Sequence, residues 1–222
     1  MPRDFDGISE LCRRTYPDTP PWNAEQLSSH LGVFPEGQFV AVFGPEEKIV
    51  GMCASLIVDW EDYAMLDGWE QFTDDGMFTN HDPRRGRTLY GAEVIVDSTL
   101  QHHGIGDKLY RCRRQLTESH KLLRIRAGSR LRGYSQCCSR LKPEEYVVDV
   151  VEGTEHDPTL SFQLKEGFHV LGVVPHYLTD DPESLGYAAV IEWLNPELIR
   201  AEHIANRPTR FIRNALKQAS AR

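Results

Sequence analysis

The residues best suited to chemistry form a short run in mid-chain, Gln101-His102-His103-Gly104-Ile105-Gly106. An apolar stretch, Leu89 to Val96, precedes it, and a helical pattern from Gly104 to about His120 follows. A strand that runs through a glycine loop into a helix N-terminus suits a phosphorylated ligand. First-turn amides have no intrahelical acceptor, and the helix dipole places partial positive charge there. Glycine at 104 and 106 removes the Cβ that would hold a pyrophosphate away from the backbone. The candidates for holding such a ligand are Ile95 and Val96 at the strand end, then Gln101, His102, His103, Gly104, Ile105, Gly106, Asp107 and Lys108. Lys108 sits in the first turn, where a cation reaches a phosphate. The loop does not fit G-x-x-x-x-G-K-[ST]. As a dinucleotide fingerprint it lacks the third glycine, and the next strand ends in Gly128-Ser129-Arg130 where an acid is wanted.

A second chemical signal is the connection from Asp59 to Arg87. Up to Asp75 it carries Asp59, Glu61, Asp62, Asp67, Glu70, Asp74 and Asp75 with no Lys or Arg, together with Trp60, Tyr63, Trp69 and Phe72. Carboxylates mixed with aromatics suit a cationic amine, through charge attraction and cation–π contact. Pro83-Arg84-Arg85-Gly86-Arg87 follows, to partner those acids or to approach phosphates.

The elements that position these groups follow from periodicity and punctuation. Phe5, Ile8, Leu11 and Cys12 give a helix ending before Pro17, and Asn23 caps a second helix expected to stop at Gly32. Phe39 to Phe43 reads as a short buried strand, Gly44 to Glu47 as a hairpin turn, and Lys48 to Val58 as a longer strand. After the central strand and loop, Ile105, Leu109, Cys112 and Leu116 turn towards the sheet. Lys108, Arg111, Arg113 and Arg114 are expected on solvated faces. Leu122 to Ala127 reads as a half-exposed strand, Pro143 to Val151 as a helix, Phe168 to Val174 and Ser184 to Trp193 as the last strands. Asn195 to Arg222 is a basic, partly helical tail broken at Pro208.

With 222 residues, 40% hydrophobic and 9% aromatic content, the chain suits one large domain with an appendage. A net charge of -8 argues against a nucleic-acid partner. No apolar run approaches the ~20 residues of a membrane span. The N-terminus lacks the basic-then-apolar order of a signal peptide. Cys12, Cys53, Cys112, Cys137 and Cys138 form no C-x-x-C, so neither a disulfide framework nor a metal site is expected, and the chain reads as reduced and cytoplasmic.

The run Val96-Asp97-Ser98-Thr99-Leu100-Gln101-His102-His103-Gly104-Ile105-Gly106 resembles the central motif of the GNAT N-acetyltransferases. In these a strand ending in Val leads to [RQ]-x-x-G-x-[GA] and a helix. Asp157-Pro158-Thr159-Leu160-Ser161-Phe162-Gln163-Leu164-Lys165-Glu166-Gly167-Phe168 resembles the family's second motif, with Asp157 as N-cap and Pro158 at N1. The two motifs and the strands between them extend the likeness over roughly Phe5 to Trp193. The chain is similar to bacterial GNAT domains that can be fused to a nitrilase-like amidohydrolase, although no such second domain is expected within these 222 residues.

The resemblance implies an α/β (α+β) GNAT fold: a mixed twisted sheet with helices on both faces and an insertion, Arg130 to His156, before the last helix-strand unit. It implies a domain over residues 1–194 with a basic tail over 195–222, and transfer of an acetyl group from acetyl-CoA to an amine. Family members usually begin with a strand, whereas here a helix begins almost at once. The tyrosine that often protonates the CoA thiolate in the family falls on Gln163, which cannot do acid catalysis. Tyr177 and Tyr134 remain as acid candidates.

A protonated amine is not a nucleophile, so a base is required. Glu93, a carboxylate inside an apolar strand, is the candidate, with burial expected to raise its pKa. Strict alternation places it on the face opposite Tyr90. If that face is not the acceptor side, Tyr90 takes the role. A main-chain N–H at the end of the central strand would serve the oxyanion. A catalytically silent acyl-CoA-binding module and a domain for another nucleotide are the competing readings. The acceptor's identity and the oligomeric state, a homodimer included, are not legible in the sequence.

Overall fold

A computed structural model describes residues 1–17, 19–205 and 207–213. A 3-10 turn, Pro2–Asp4, leads straight into α1 (Phe5–Thr15), so no strand precedes that helix among the described residues. α1 buries Ile8, Leu11 and Cys12, the stripe its spacing predicts. α2 (Ala24–Val33) starts at a reciprocal cap. Asn23 Oδ1 accepts the Gln26 amide at 2.9 Å, and Gln26 Oε1 accepts the Asn23 amide at 3.2 Å. The helix runs through Gly32, where it was expected to stop, and ends at Val33.

β1 (Gln38–Phe43) and β2 (Lys48–Val58) form the expected hairpin, followed by a short α3 (Trp69–Thr73) and β3 (Thr88–Val96). β2 is buried along its whole length except Lys48. β1, expected to be buried, is an edge strand with Val42 and Phe43 51% and 62% exposed. Its apolar run misled because edge status depends on strand order, which a local pattern does not carry. The six strands form one mixed sheet in the order β1-β2-β3-β4-β6-β5.

α4 (Ile105–Ser119) and α1 cover opposite faces of β2. A Cβ on Gly7 of α1 would meet Ile49, while one on Gly51 would meet Ile105 and Leu109 of α4. A register shift that skips Val50 separates Ile49 from Gly51 and turns them to opposite faces.

The chain divides into two compact units, one from Met1–Asp62 and Glu70–Leu122, the other from Tyr63–Trp69 and the described residues from Leu123 onwards. The second unit contains β4 (Arg124–Arg130), α5 (Pro143–Glu152), α6 (Leu160–Lys165), β5 (His169–Val174), β6 (Ala188–Leu194) and α7 (Ala201–Ala205). β6 lies between β4 and β5 and is antiparallel to both. α5 packs on β5 and α6 on β4.

β4 was expected to be half-exposed and to end at Ala127. It runs on to Arg130, and Arg126 is buried because it stands directly opposite Glu192, with Nε donating to Oε2 at 2.9 Å. β6 begins at Ala188 rather than Ser184. Residues 181–186 fold back instead, with Ser184 Oγ donating to Asp181 at 2.5 Å and Leu185 and Gly186 left-handed.

α6 begins at Leu160, two residues later than an N-cap at Asp157 implies, but the Asp157 carboxylate still serves the start of the helix. Its Oδ1 accepts the amides of Thr159 at 2.9 Å and Leu160 at 2.8 Å, while Oδ2 accepts the Gly133 amide and the Tyr146 hydroxyl. The tail is broken at Pro208, and Phe211 beyond it is buried. Residues 214–222 of the expected tail lie outside the described residues.

Candidate active site

The loop between β3 and α4 is shaped by Asp97. Its Oδ1 accepts both the Thr99 hydroxyl, at 2.7 Å, and the Thr99 amide, at 3.1 Å, and its Oδ2 pairs with Arg14 of α1 at 3.2 Å. The Thr99 hydroxyl is the main reason the Asp97 carboxyl titrates below its ordinary range. The Thr99 amide, Arg14 and Lys48 add to the effect against the opposing cost of burial.

Two left-handed residues, His102 at φ 63° and Gly104 at φ 74°, then swing the chain into the first turn of α4. No side chain caps that turn, so the amides of Ile105, Gly106 and Asp107 point outward unclaimed. A Cβ on Gly104 would meet nothing closer than Asp107 at 3.9 Å. The glycine is therefore needed for its φ, and the space above it is open. Lys108, His102 and Gln101 are exposed, and His103 Nδ1 binds back to the Gln101 carbonyl at 2.8 Å. Ile95 is buried and Val96 half-buried at the strand end. These features fit a phosphate-bearing ligand: an anion cradle of amides, a close approach, and a nearby cation.

β3 departs from strict alternation. Ser55 pairs with Gly91 and Ala54 with Glu93, so Ala92 is an extra, bulged residue. Directly opposed residues of an antiparallel pair share a face. Tyr90 opposes Leu56 and Glu93 opposes Ala54, two positions apart on β2. Tyr90 and Glu93 thus stand on the same face, not on opposite ones as alternation predicted. That face is α1's, since the Glu93 charge is felt by the Cys12 thiol, whose pKa is pushed up to about 11 chiefly by burial. Glu93 is half-buried and its Oε1 accepts the amide of Val94 at 3.0 Å. The phenol ring of Tyr90 is buried and stacked on Phe72 at 4.6 Å, which stacks in turn on Trp60 at 4.9 Å.

Arg113 of α4 was expected on a solvated face and is 1% exposed. Its Nε donates to Ser55 Oγ at 3.0 Å, and one terminal nitrogen donates to the carbonyls of Ala54 at 2.9 Å and Glu93 at 2.7 Å. Residue type argued for the surface, but the position is one helical repeat beyond buried Leu109 and lies within the apolar stripe. That spacing was the signal available in the sequence.

The acid-rich connection is partly self-neutralised. Arg85 pairs with Asp62 at 2.8 Å and Asp59 at 2.9 Å, and Asp67 accepts the Ala64 amide at 2.8 Å. Glu61 and Asp75 are exposed. Beyond α3 the chain holds Asp74, Asp75, Gly76 and Phe78 at positive φ. One face of α2 grips this segment by three successive carbonyls. Gln26 donates to Asp75 at 3.3 Å, His30 to Gly76 at 2.7 Å, and Ser29 to Met77 at 2.6 Å.

In the second unit Tyr177 is buried, its phenol oxygen accepting the Gly128 amide at 3.2 Å, and Gln163 is buried in α6. The Tyr134 hydroxyl donates to the Leu141 carbonyl at 3.2 Å. Among the described residues no group of three or more His, Cys, Asp or Glu could hold a metal ion, and no helix is long and apolar enough to cross a membrane.

A mixed sheet whose third strand runs through a left-handed loop to the open N-terminus of a helix is the arrangement the two motifs led one to expect, and this chain belongs to the GNAT superfamily of N-acetyltransferases. It is 37% identical over 196 residues to YkwB of Bacillus subtilis, an uncharacterized N-acetyltransferase, across 86% of this chain and 85% of that one. It is 39% identical over 197 residues to YhcX of the same organism, a probable hydrolase, across 89% of this chain but only 38% of the relative. No family model matches the chain. Among solved structures, the GNAT-like decarboxylase GphF in complex with isobutyryl-CoA superposes with a TM-score of 0.70 at 21% identity, over 88% of this chain and 96% of that one. The loading GNATL domain of CurA from Lyngbya majuscula gives 0.71 at 20% identity, over 88% and 95%. These two share the fold.

Proposed function

We propose that the chain is an N-acetyltransferase that moves the acetyl group of acetyl-CoA to the primary amine of a cationic acceptor by direct attack. The observation that carries this reading is the juxtaposition in the first unit. An uncapped α4 N-terminus lies at one end of β3, and Glu93 and Tyr90 share one face of the same strand. The amides of Ile105, Gly106 and Asp107, with Lys108, hold the phosphates of CoA. Gln101, His102 and His103 supply main-chain groups, and Ile95 and Val96 line the strand end. Glu93 takes the amine proton as the C–N bond forms and the C–S bond breaks, with Tyr90 as the alternate base. The sulfur departs with CoA as the thiolate and takes its proton from solvent. Exposed Glu61 and Asp75, with Trp60, draw a cationic acceptor.

The acetyltransferase domain spans residues 1–194 and the basic tail 195–222. The five cysteines are free thiols, which supports a cytoplasmic location.

Calorimetric titration with acetyl-CoA, beside a Gly104→Glu variant, tests the cofactor site. Micromolar binding abolished by the variant is the expected result, and no binding by a folded sample rejects it. Release of CoA from acetyl-CoA in the presence of amine pools, lost in Glu93→Gln with acetyl-CoA affinity retained, tests the reaction. Gln163 in place of the family's tyrosine favours a second reading, a catalytically silent acyl-CoA-binding module. Binding without CoA release from any amine pool would select it.

A further inference from the structure

We propose that Arg113 is a positioning residue: its guanidinium clamps the β3 bulge and so fixes where Glu93 stands. This rests on the reading of Glu93 as the base. A side chain placed only to fill the space between α4 and the sheet would be apolar, because a buried cation gives up its hydration. Arg113 forms no ion pair among the described residues. It is satisfied instead by Ser55 Oγ and two main-chain carbonyls, with the Tyr110 ring 5.5 Å from its centre.

Those carbonyls belong to Ala54 and Glu93, the pair that stands opposed next to the bulged Ala92. A bulge leaves its extra residue, here Ala92, without an opposite number and disrupts the ladder beside it. One guanidinium nitrogen donates to the carbonyls of both Ala54 and Glu93, and so fixes the two strands to each other at the point where alternation is reset. Without the bulge, Glu93 would turn to the face opposite Tyr90. The clamp is mounted on α4, about two turns from the amides that would hold acyl-CoA phosphates. The helix that seats the donor thereby also holds the main chain of the base. Lysine has a single nitrogen on a flexible stem and cannot span the hydroxyl and both carbonyls.

The test compares the full chain with Arg113→Lys and with Ser55→Ala, which loosens the guanidinium but keeps its charge. Arg113→Lys is expected to leave circular dichroism and acetyl-CoA affinity near wild type, to lower kcat about tenfold to a hundredfold, and to move the carboxyl carbon-13 NMR titration of Glu93. Ser55→Ala is expected to act the same way more weakly. Added to Glu93→Gln, Arg113→Lys is expected to cause no further loss of kcat, because it acts through that residue. Losses that multiply in the double variant, or an unchanged Glu93 titration in a folded Arg113→Lys, overturn the proposal. Should Arg113→Lys unfold, an unchanged Glu93 titration in Ser55→Ala overturns it. Should the wild type transfer acetyl to no amine, the proposed reaction fails while the Glu93 titration still decides the clamp.

Discussion

His30 should make the protein lose stability as the pH falls from 6.5 towards 4. The side chain is 1% exposed, stacked on Phe78 at 3.7 Å and edge-on to Trp22 at 4.9 Å. Its Nε2 lies 2.7 Å from the Gly76 carbonyl, which can only accept, so the neutral ring carries its proton there. Burial pushes its pKa from 6.5 down to about 4, against the opposing effect of that carbonyl. The folded value lies below the unfolded one, so the unfolded chain takes up the proton first. The contribution is whole above 6.5, is lost as the pH falls through the window, and changes no further below 4. A difference of that size corresponds to about 3 kcal/mol, at a slope of roughly 1 kcal/mol per pH unit in mid-window.

His30→Gln retains an N–H donor and removes the titration. The assay is urea unfolding of both proteins at intervals from pH 7 to pH 4. The variant is expected to be the less stable at pH 7, with the gap closing by about 3 kcal/mol at pH 4. His81 is also held low by burial and acts in the same sense, but it is common to both proteins. Parallel curves, with a constant gap across the window, would refute the reasoning.

Asp157→Asn turns an NH2 group towards the Gly133 amide and weakens two caps, for an expected loss of about 2–4 kcal/mol in chemical unfolding. Gly51→Ala would place a Cβ 3.0 Å from Ile105 Cγ2 and 3.2 Å from the Ile95 carbonyl, which cannot yield. The first turn of α4 must shift instead, costing about 1–3 kcal/mol and weakening acetyl-CoA binding severalfold by calorimetry. Gly128→Ala would drive a methyl group into the Tyr177 ring, so a thermal melt should show a loss of about 3 kcal/mol or more.

Features written in local signals were legible from the sequence. The Asn23 cap, the hairpin at Gly44, the full extent of β2 and the loop into α4 depend on neighbours a few residues away, and each was found where its residues placed it. What failed was set by partners distant in sequence. The bulge at Ala92 is a relation between β3 and β2, so counting along β3 alone put Glu93 on the wrong face. Arg126, on a strand read as half-exposed, and Arg113, placed on a solvated helix face, are both buried. One is buried by an acid on the neighbouring strand, the other by carbonyls it reaches across a helix–sheet interface. For the basic run after the acids the sequence left two roles open, and Arg85 takes the first of them by pairing with Asp59 and Asp62.

The grip of α2 on the segment after α3 bears on how this protein could diversify. Gln26, Ser29 and His30 hold main-chain oxygens, atoms that every amino acid presents alike. Exchanging the exposed side chain of Asp75 for another that accepts its left-handed backbone leaves all three holds in place. The segment therefore keeps its course through such exchanges, and a lineage could try new surfaces there without first having to rebuild the support beneath them.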